Sequence, residues 1–204
     1  MTTVTEALAE LRKEKKRKFA QSVDLIINFQ KFDARKTAIN TFVNIPNPTD
    51  KKICAFLSRR SKLVDTITKE DFEKYKDNKV MKTLAATYDS FIAVAPMMAP
   101  VATKFGRALG PSGKMPSPQA GIMPNDDDES IKKMIEKMKK VIRVRIKENS
   151  LKLNVGKENM DDAKLIGNIQ AVIDSVIELL PNKKDNVKNI LLKLTMTKPV
   201  GIDK

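Results

Sequence analysis

The start of the chain carries a helical pattern followed by an alternating one. Apolar residues recur at helical spacing in the first part of residues 4–19, which predicts a helix with Thr5 as its N-cap and Thr3 as the alternative. Residues 22–29 instead alternate between apolar and polar side chains. They predict a half-buried strand in which Ile26 is the apolar exception on the polar side.

The pattern changes after the dipeptides Pro46-Asn47 and Asn47-Pro48. Before this break, a polar loop around residues 33–36 and a second strand over residues 41–45 are predicted. Beyond it, short apolar runs alternate with helical patterns. These predict strands over residues 53–57 and 91–95, a helix capped by Thr68, and helices over residues 80–87 and 97–109.

The last third returns to alternating strands. Residues 110–124 are rich in glycine and proline and predict a long irregular segment, and the acidic residues 126–129 suit the start of the next helix. The predicted elements that follow are strands over residues 141–146 and 150–155, a helix over 162–180 and a closing strand over 187–196.

The two ends share features that the middle lacks. Each end supplies an amphipathic helix and alternating strands, whereas the middle has short apolar strands, typical of a parallel sheet covered on both faces. We therefore predict an α/β protein of two domains. A discontinuous α+β domain is formed by residues 1–47 and 149–204, and an α/β domain of residues 48–148 is inserted into it. The breaks at residues 46–48 and 147–150 are the predicted hinge.

Charge narrows the choice of partner. Lysine and arginine number 39 against 25 aspartates and glutamates, so the net charge is +14 at pH 7, and a hydrophobic fraction of 41% suffices for a core. A folded protein with this excess is favoured by a polyanion, and nucleic acid is the commonest one. The alternative is a soluble basic protein without such a partner.

Residue usage argues against an enzyme. Histidine is absent, which removes the commonest general base and metal ligand, and Cys54 is the only cysteine. Cys54 lies in an apolar run, where a buried structural role is expected, and no metal site or cofactor is predicted. No run approaches the ~20 apolar residues of a membrane span, and the start lacks an apolar signal core, so we expect a soluble intracellular protein.

The glycine-rich segment of residues 106–114 invites comparison with a phosphate-binding loop. A Walker motif fails, because Ala108 stands where its first glycine is needed and Met115 where its hydroxyl is needed. A dinucleotide-binding glycine triplet is also missing. The alternative is a fixed surface loop. We expect a functional one, since Arg107 and Lys114 flank backbone amides that could hold an RNA phosphate.

The basic residues indicate how nucleic acid is bound. They cluster in residues 1–20, 130–160 and 180–204, each with a net positive charge, and Arg143 and Arg145 fall on one side of a predicted strand. Aromatic residues make up only 5% of the chain, so stacking of single-stranded bases is not the expected mode. Structured RNA, recognised through shape, phosphates and 2′-hydroxyls, fits better.

Three segments carry a resemblance to a known family. Residues 104–116, KFGRALGPSGKMP, closely resemble the signature loop of the large-subunit ribosomal stalk protein family, large-subunit protein one. Residues 18–25, KFAQSVDL, look like that family's entry to its first strand, and residues 194–199, LTMTKP, look like its final RNA-binding turn. The resemblance extends over essentially the whole chain, and its length and residues 22–46 are more similar to the archaeal and eukaryotic branch.

The resemblance implies a fold and a function. The terminal halves would form the RNA-binding domain, and the insertion would be Rossmann-like. The implied partners are the stalk region of large-subunit rRNA beside the tRNA exit site, departing deacylated tRNA and the protein's own mRNA, which it would repress. It further implies a cytoplasmic, ribosome-bound protein that is a monomer off the ribosome and contacts no membrane.

The resemblance also implies the contact residues. Carried over by position, the RNA-binding residues are Lys18, Phe19, Ser22, Asp24, Thr195, Met196 and Thr197, with Arg107 and Lys114 as secondary RNA or tRNA contacts. One departure is present, because the family usually has glycine where this chain has Thr197. Two alternatives remain: a nucleotide-dependent enzyme built on the inserted domain, and a general architectural protein that binds nucleic acid such as DNA.

Overall fold

The computed structural model describes residues 3–13, 17–33, 39–75 and 77–203. The chain consists of two compact units. Unit 1 contains Met1–Asp50 and Lys140–Lys204, and unit 2 contains Lys51–Lys139. Helices and strands are mixed, with an antiparallel sheet in unit 1 and a parallel sheet in unit 2, which confirms the predicted α/β fold class.

The helices and strands are labelled in chain order. The α-helices are α1 Val4–Lys13, α2 Asn78–Thr87, α3 Met98–Ser112, α4 Asp128–Lys139 and α5 Asp162–Leu179. The strands are β1 Ser22–Phe29, β2 Ile39–Asn44, β3 Ile53–Phe56, β4 Asp65–Ile67, β5 Ser90–Val94, β6 Ile122–Met123, β7 Val141–Ile146, β8 Ser150–Lys157, β9 Val187–Leu194 and β10 Val200–Ile202. Short 3-10 helices occupy Glu70–Tyr75, Ala95–Met97 and Lys183–Asn186.

The main sheet of unit 1 joins both ends of the chain. Its strand order is β10-β9-β1-β8, and each neighbouring pair is antiparallel. Alternate residues of β1 are buried, as the sequence predicted, and the apolar exception Ile26 is half-buried on the open face. The inward residues pack under α1 and α5, whose apolar stripes complete one core. Burying these stripes is the main source of stability for such a layer.

The first helix is shorter than its pattern predicted, and its N-cap is the alternative one. Thr3 caps α1, because the Glu6 N–H donates to the Thr3 hydroxyl (3.4 Å) and the Thr3 N–H donates to the Glu6 carboxylate (2.9 Å). This reciprocal pair is a capping box. The preference for Thr5 was therefore wrong. Helix α1 ends at Lys13, residues 17–21 are not helical, and residues 14–16 lie outside the described residues.

A second sheet of unit 1, a two-stranded ribbon, puts the boundary between the units at other residues than the sequence predicted. Strands β2 and β7 pair antiparallel within unit 1, so the chain leaves that unit after Asp50 and returns at Lys140. The sequence placed these crossings after residues 47 and 148. Both segments of the predicted hinge belong to unit 1: residues 147–149 connect β7 to β8, and Asn47 bonds to Asn168 of α5. Residues 34–36 of the predicted polar loop lie outside the described residues.

Unit 2 is built around a parallel sheet with strand order β4-β3-β5-β6. Strand β3 is buried throughout, as its apolar sequence predicted. The core beside it is rich in aromatic rings: Phe56 and Phe105 lie 5.1 Å apart, and Phe72 meets Phe105 edge to face at 5.1 Å. Unit 2 therefore has a core of its own, separate from that of unit 1.

Candidate nucleic-acid interface

A tight turn follows β9 and carries three of the predicted contact residues, Thr195, Met196 and Thr197. The Thr197 hydroxyl accepts a hydrogen bond from the Leu194 N–H (2.9 Å), and the Thr197 N–H donates to the Leu194 carbonyl (3.2 Å). Among the non-glycine residues that the structure describes, a positive φ occurs at Lys31 and Lys183 and not at Thr197. Threonine at this position therefore needs no glycine conformation, and its side chain closes the turn.

The turn is tied to the start of β1. The Ser22 N–H donates to the Thr195 hydroxyl at 3.0 Å, although the two residues are 173 positions apart in the chain. The structure thus brings together Ser22 and Thr195, two of the residues that the resemblance gives as RNA contacts. Because the Thr195 hydroxyl already accepts this bond, its first role is to hold the turn against β1.

Gln21 is a residue of this site that the sequence interpretation missed. It is 2% exposed, and its Oε1 accepts a hydrogen bond from the Met196 N–H at 3.1 Å. Its backbone is fixed as well, since the Glu158 N–H donates to its carbonyl (2.8 Å) and its N–H donates to the Glu158 carboxylate (3.3 Å). The sequence did contain a signal for its burial, because Gln21 continues the alternation of the inward residues Val23 and Leu25. A polar side chain buried at such a position needs a hydrogen-bond partner inside the protein.

Two apolar side chains of the site face solvent. Phe19 is 53% exposed and Met196 is 57% exposed, and Lys18 beside Phe19 is exposed too. Neither Phe19 nor Met196 is therefore a core residue. Two large apolar side chains therefore lie on the surface, Met196 in the turn and Phe19 two residues before Gln21.

Asp24 is the acidic member of the predicted set. It lies half-buried on the open face of the sheet, opposite Lys193 on one side and Asn154 on the other. Burial raises the pKa of the Asp24 carboxyl, and the Lys193 charge offsets part of this rise. The pairing register with β8 shifts between Val23 and Asp24, and such an irregularity re-aims side chains. A partly desolvated carboxylate is a ready acceptor for a hydroxyl donor.

The two secondary candidates belong to unit 2, where the structure gives Lys114 a different role. The predicted irregular segment starts as helix, because α3 continues through Gly110 and Pro111 to Ser112. The N–H groups of Gly113 and Lys114 bond to carbonyls of α3, so these amides are not open to a phosphate. The Lys114 ammonium donates to the carbonyls of Ala85 and Tyr88, each at 2.8 Å, and so caps the end of α2.

Arg107 fits a surface contact better than Lys114 does. It lies on α3 with its side chain exposed.

No group of three or more acidic, cysteine or histidine side chains among the described residues is arranged to hold a metal ion. Nor does any helix among the described residues have the length and hydropathy of a membrane span.

The fold and the site define a two-unit α/β protein, in which a discontinuous antiparallel unit carries an exposed turn and a parallel unit is inserted into it. Residues 11–198 match the Ribosomal protein L1p/L10e family, so the chain belongs to that family. It is 32% identical to the large ribosomal subunit protein uL1 of Nanoarchaeum equitans, over 97% of this chain and 98% of that protein. It is 34% identical to the large ribosomal subunit protein uL1 of Thermococcus kodakarensis, over 98% of this chain and 97% of that protein.

Proposed function

We propose that this chain is a structural component of the large ribosomal subunit in the cytoplasm, where it binds the rRNA of the mobile stalk beside the tRNA exit site. Family membership and the names of its relatives support a ribosomal role. The observation that carries the proposed site is the exposed pair Phe19 and Met196 at the end of the unit 1 sheet. Assisted release of deacylated tRNA and repression of the protein's own mRNA are further parts of the proposal.

The proposed mode of binding follows from the geometry of the turn. Phe19 and Met196 would cover a sugar or base, while the Asp24 carboxylate accepts a bond from a 2′-hydroxyl. Lys18 and Lys193 would contact phosphates, which position the RNA without reading its sequence. Gln21, Ser22 and Thr195 hold the turn in place before the RNA arrives. Such preorganisation reduces the ordering cost of binding.

Binding of a stalk rRNA transcript should weaken steeply with salt. Lysines and arginines that neutralise phosphates release counterions, so neutralising about five phosphates gives a log-log slope of roughly −4. A titration of affinity against salt concentration measures this slope, and duplex DNA of equal length serves as the competitor. A slope near zero contradicts an electrostatic RNA-binding mode, and equal affinity for duplex DNA favours a general architectural protein instead.

The variant Asp24→Asn should bind this RNA about tenfold more weakly, because the amide oxygen of asparagine accepts only a neutral hydrogen bond where the carboxylate accepts a stronger, charge-assisted one. Its fold should not weaken at pH 7. The pKa of Asp24 is raised in the folded state, so the wild type loses stability as pH rises from the ordinary value of 3.8 through the raised one. Asparagine removes this loss. Urea unfolding at pH 4 and pH 7 should therefore show that the free energy of unfolding of the variant rises relative to that of the wild type as the pH increases.

Asp127→Asn supplies the matched control for this experiment. Asp127 is an exposed carboxylate of unit 2, and the substitution changes the net charge by the same amount. Its RNA affinity should equal that of the wild type or rise slightly. Normal RNA binding by Asp24→Asn would place Asp24 outside the interface.

A further inference from the structure

The outer face of the β2–β7 ribbon concentrates positive charge. The register places Phe42 opposite Arg143 and Asn40 opposite Arg145. The inward residues of the ribbon belong to the core of unit 1: Val43, Ile142, Val144 and Ile146. Alternation along the strands therefore directs the two arginines outward, with Arg143 half-buried and Arg145 exposed.

Arg143 is held in a defined position on this face. Its guanidinium carbon lies 5.7 Å from the centre of the Phe42 ring, within the range of a cation–π contact. Its Nε–H donates to the Asn40 side-chain oxygen at 3.0 Å. A guanidinium fixed by a ring and an amide has lost much of its side-chain freedom before any partner binds, which favours binding.

The two arginines also repel each other. Burial lowers the pKa of Arg143, and the neighbouring charge of Arg145 lowers it further. This repulsion between like charges costs free energy in the isolated protein, and a bound anion would offset it. The planar guanidinium fork matches phosphate oxygens in a bidentate manner, which a lysine ammonium does not.

We propose that the outer face of the β2–β7 ribbon binds the phosphodiester backbone of RNA as a second contact surface of unit 1. This ribbon is a separate sheet from the one that ends at the turn of residues 195–197. The inference rests on the proposed rRNA-binding function. Charge complementarity identifies the occupant, since Asn40, Asn44, Arg143 and Arg145 present polar and positive groups to solvent rather than an apolar groove. Contacts of this kind position RNA without specifying its sequence.

The test compares arginine variants in binding to a stalk rRNA transcript. Arg143→Gln/Arg145→Gln should lower affinity about tenfold near ~0.15 M salt and make the log-log salt slope shallower by about 2. Arg145→Gln alone, at an exposed position, should give about half of the slope change with an unaltered melting temperature. Arg143→Lys/Arg145→Lys should keep the slope but lose part of the affinity, because the bidentate geometry is lost.

The control variant Lys69→Gln/Lys82→Gln removes the same net charge from two exposed positions of unit 2. It should leave the slope within a few tenths of the wild-type value. Hydroxyl-radical footprinting should show that the arginine variants lose protection at nucleotides other than those affected by Met196→Ala.

Two outcomes overturn the inference, and they differ in what they say of the proposed function. If Arg145→Gln and the double glutamine variant bind like the wild type while Met196→Ala binds weakly, the ribbon is not a contact surface and the rRNA-binding function stands. If Met196→Ala also binds normally, both proposals fail. Weaker association with ribosomal subunits at unchanged RNA affinity would assign the ribbon to a protein neighbour and contradict the RNA assignment.

Discussion

The double variant Phe19→Ala/Met196→Ala should bind the stalk rRNA transcript about a hundredfold more weakly than the wild type, at an unchanged melting temperature. Burying a Phe or Met side chain against the RNA contributes about 1.5–3 kcal/mol, and the double variant truncates two such side chains. The folded protein loses little, because both side chains are more than half exposed. Filter binding and thermal unfolding on the same samples separate the two effects.

The matched control truncates two other exposed apolar side chains. Leu63 is 42% exposed and Val80 is 40% exposed, and both lie in unit 2. Leu63→Ala/Val80→Ala should therefore match the wild type in RNA affinity. Equal affinity of both double variants would mean that the turn is not the RNA site. A loss of affinity that follows a lowered melting temperature would show that Phe19 and Met196 support folding instead.

The variant Phe105→Ala should destabilise unit 2 by about 3–5 kcal/mol, the usual cost of emptying a buried aromatic site. Phe105 is fully buried and contacts the rings of Phe56, Phe72 and Tyr75. Since the two units have separate cores, we expect an early calorimetric transition confined to unit 2. At a temperature between the two transitions, RNA affinity should stay within threefold of the wild-type value.

A corresponding core truncation in unit 1 should instead abolish RNA binding when that unit unfolds. Leu25 is fully buried on β1, and Leu25→Ala should cost about 2–5 kcal/mol and bring loss of RNA binding with its transition. Loss of RNA binding on unfolding of unit 2 in Phe105→Ala would place a main contact in unit 2. That result would contradict the assignment of RNA binding to the terminal unit.

The elements with a strong periodic signal could be predicted from the sequence. Strands Ser22–Phe29 and Val141–Ile146 are confirmed with their predicted inward faces, and α5 ends one residue before the predicted end, ahead of Pro181. In each of these, one face packs against a core, so alternation or helical spacing reports burial directly. The exposed pair Phe19 and Met196 came from the family resemblance, because exposure of a single apolar residue leaves no periodic signal.

Short elements were missed because their neighbours determine them. Strands β4 and β10 are three residues long, too short for a period to be visible, and each forms by pairing with a strand already in its sheet. The predicted closing strand over residues 187–196 therefore ends at Leu194, and β10 follows the turn.

The end of α3 illustrates a competition between local and tertiary signals. Gly110 and Pro111 predicted the start of a loop after Leu109, but the helix continues to Ser112 and Gly113 adopts the left-handed conformation that ends it. A glycine with φ of +71° is the usual helix terminator. The role of Lys114 could not be predicted for a similar reason, since its ammonium reaches the carbonyls of Ala85 and Tyr88 only in the folded structure.

The discontinuous sheet of unit 1 has a consequence for the order of events during translation. All strands of the unit 2 sheet lie within Lys51–Lys139, so that unit has its complete sheet sequence while the rest of the chain is still being made. Strand β1 is synthesised early but lies between β8 and β9, which are synthesised later. The N–H of Ser22 therefore has its hydrogen-bond acceptor, the Thr195 hydroxyl, only after β9 has been made. Pairing over such a sequence distance is slow. A nascent chain therefore forms the turn of residues 195–197 against β1 only after β9 has been made, and on the proposed function a partly made chain lacks that contact surface for RNA.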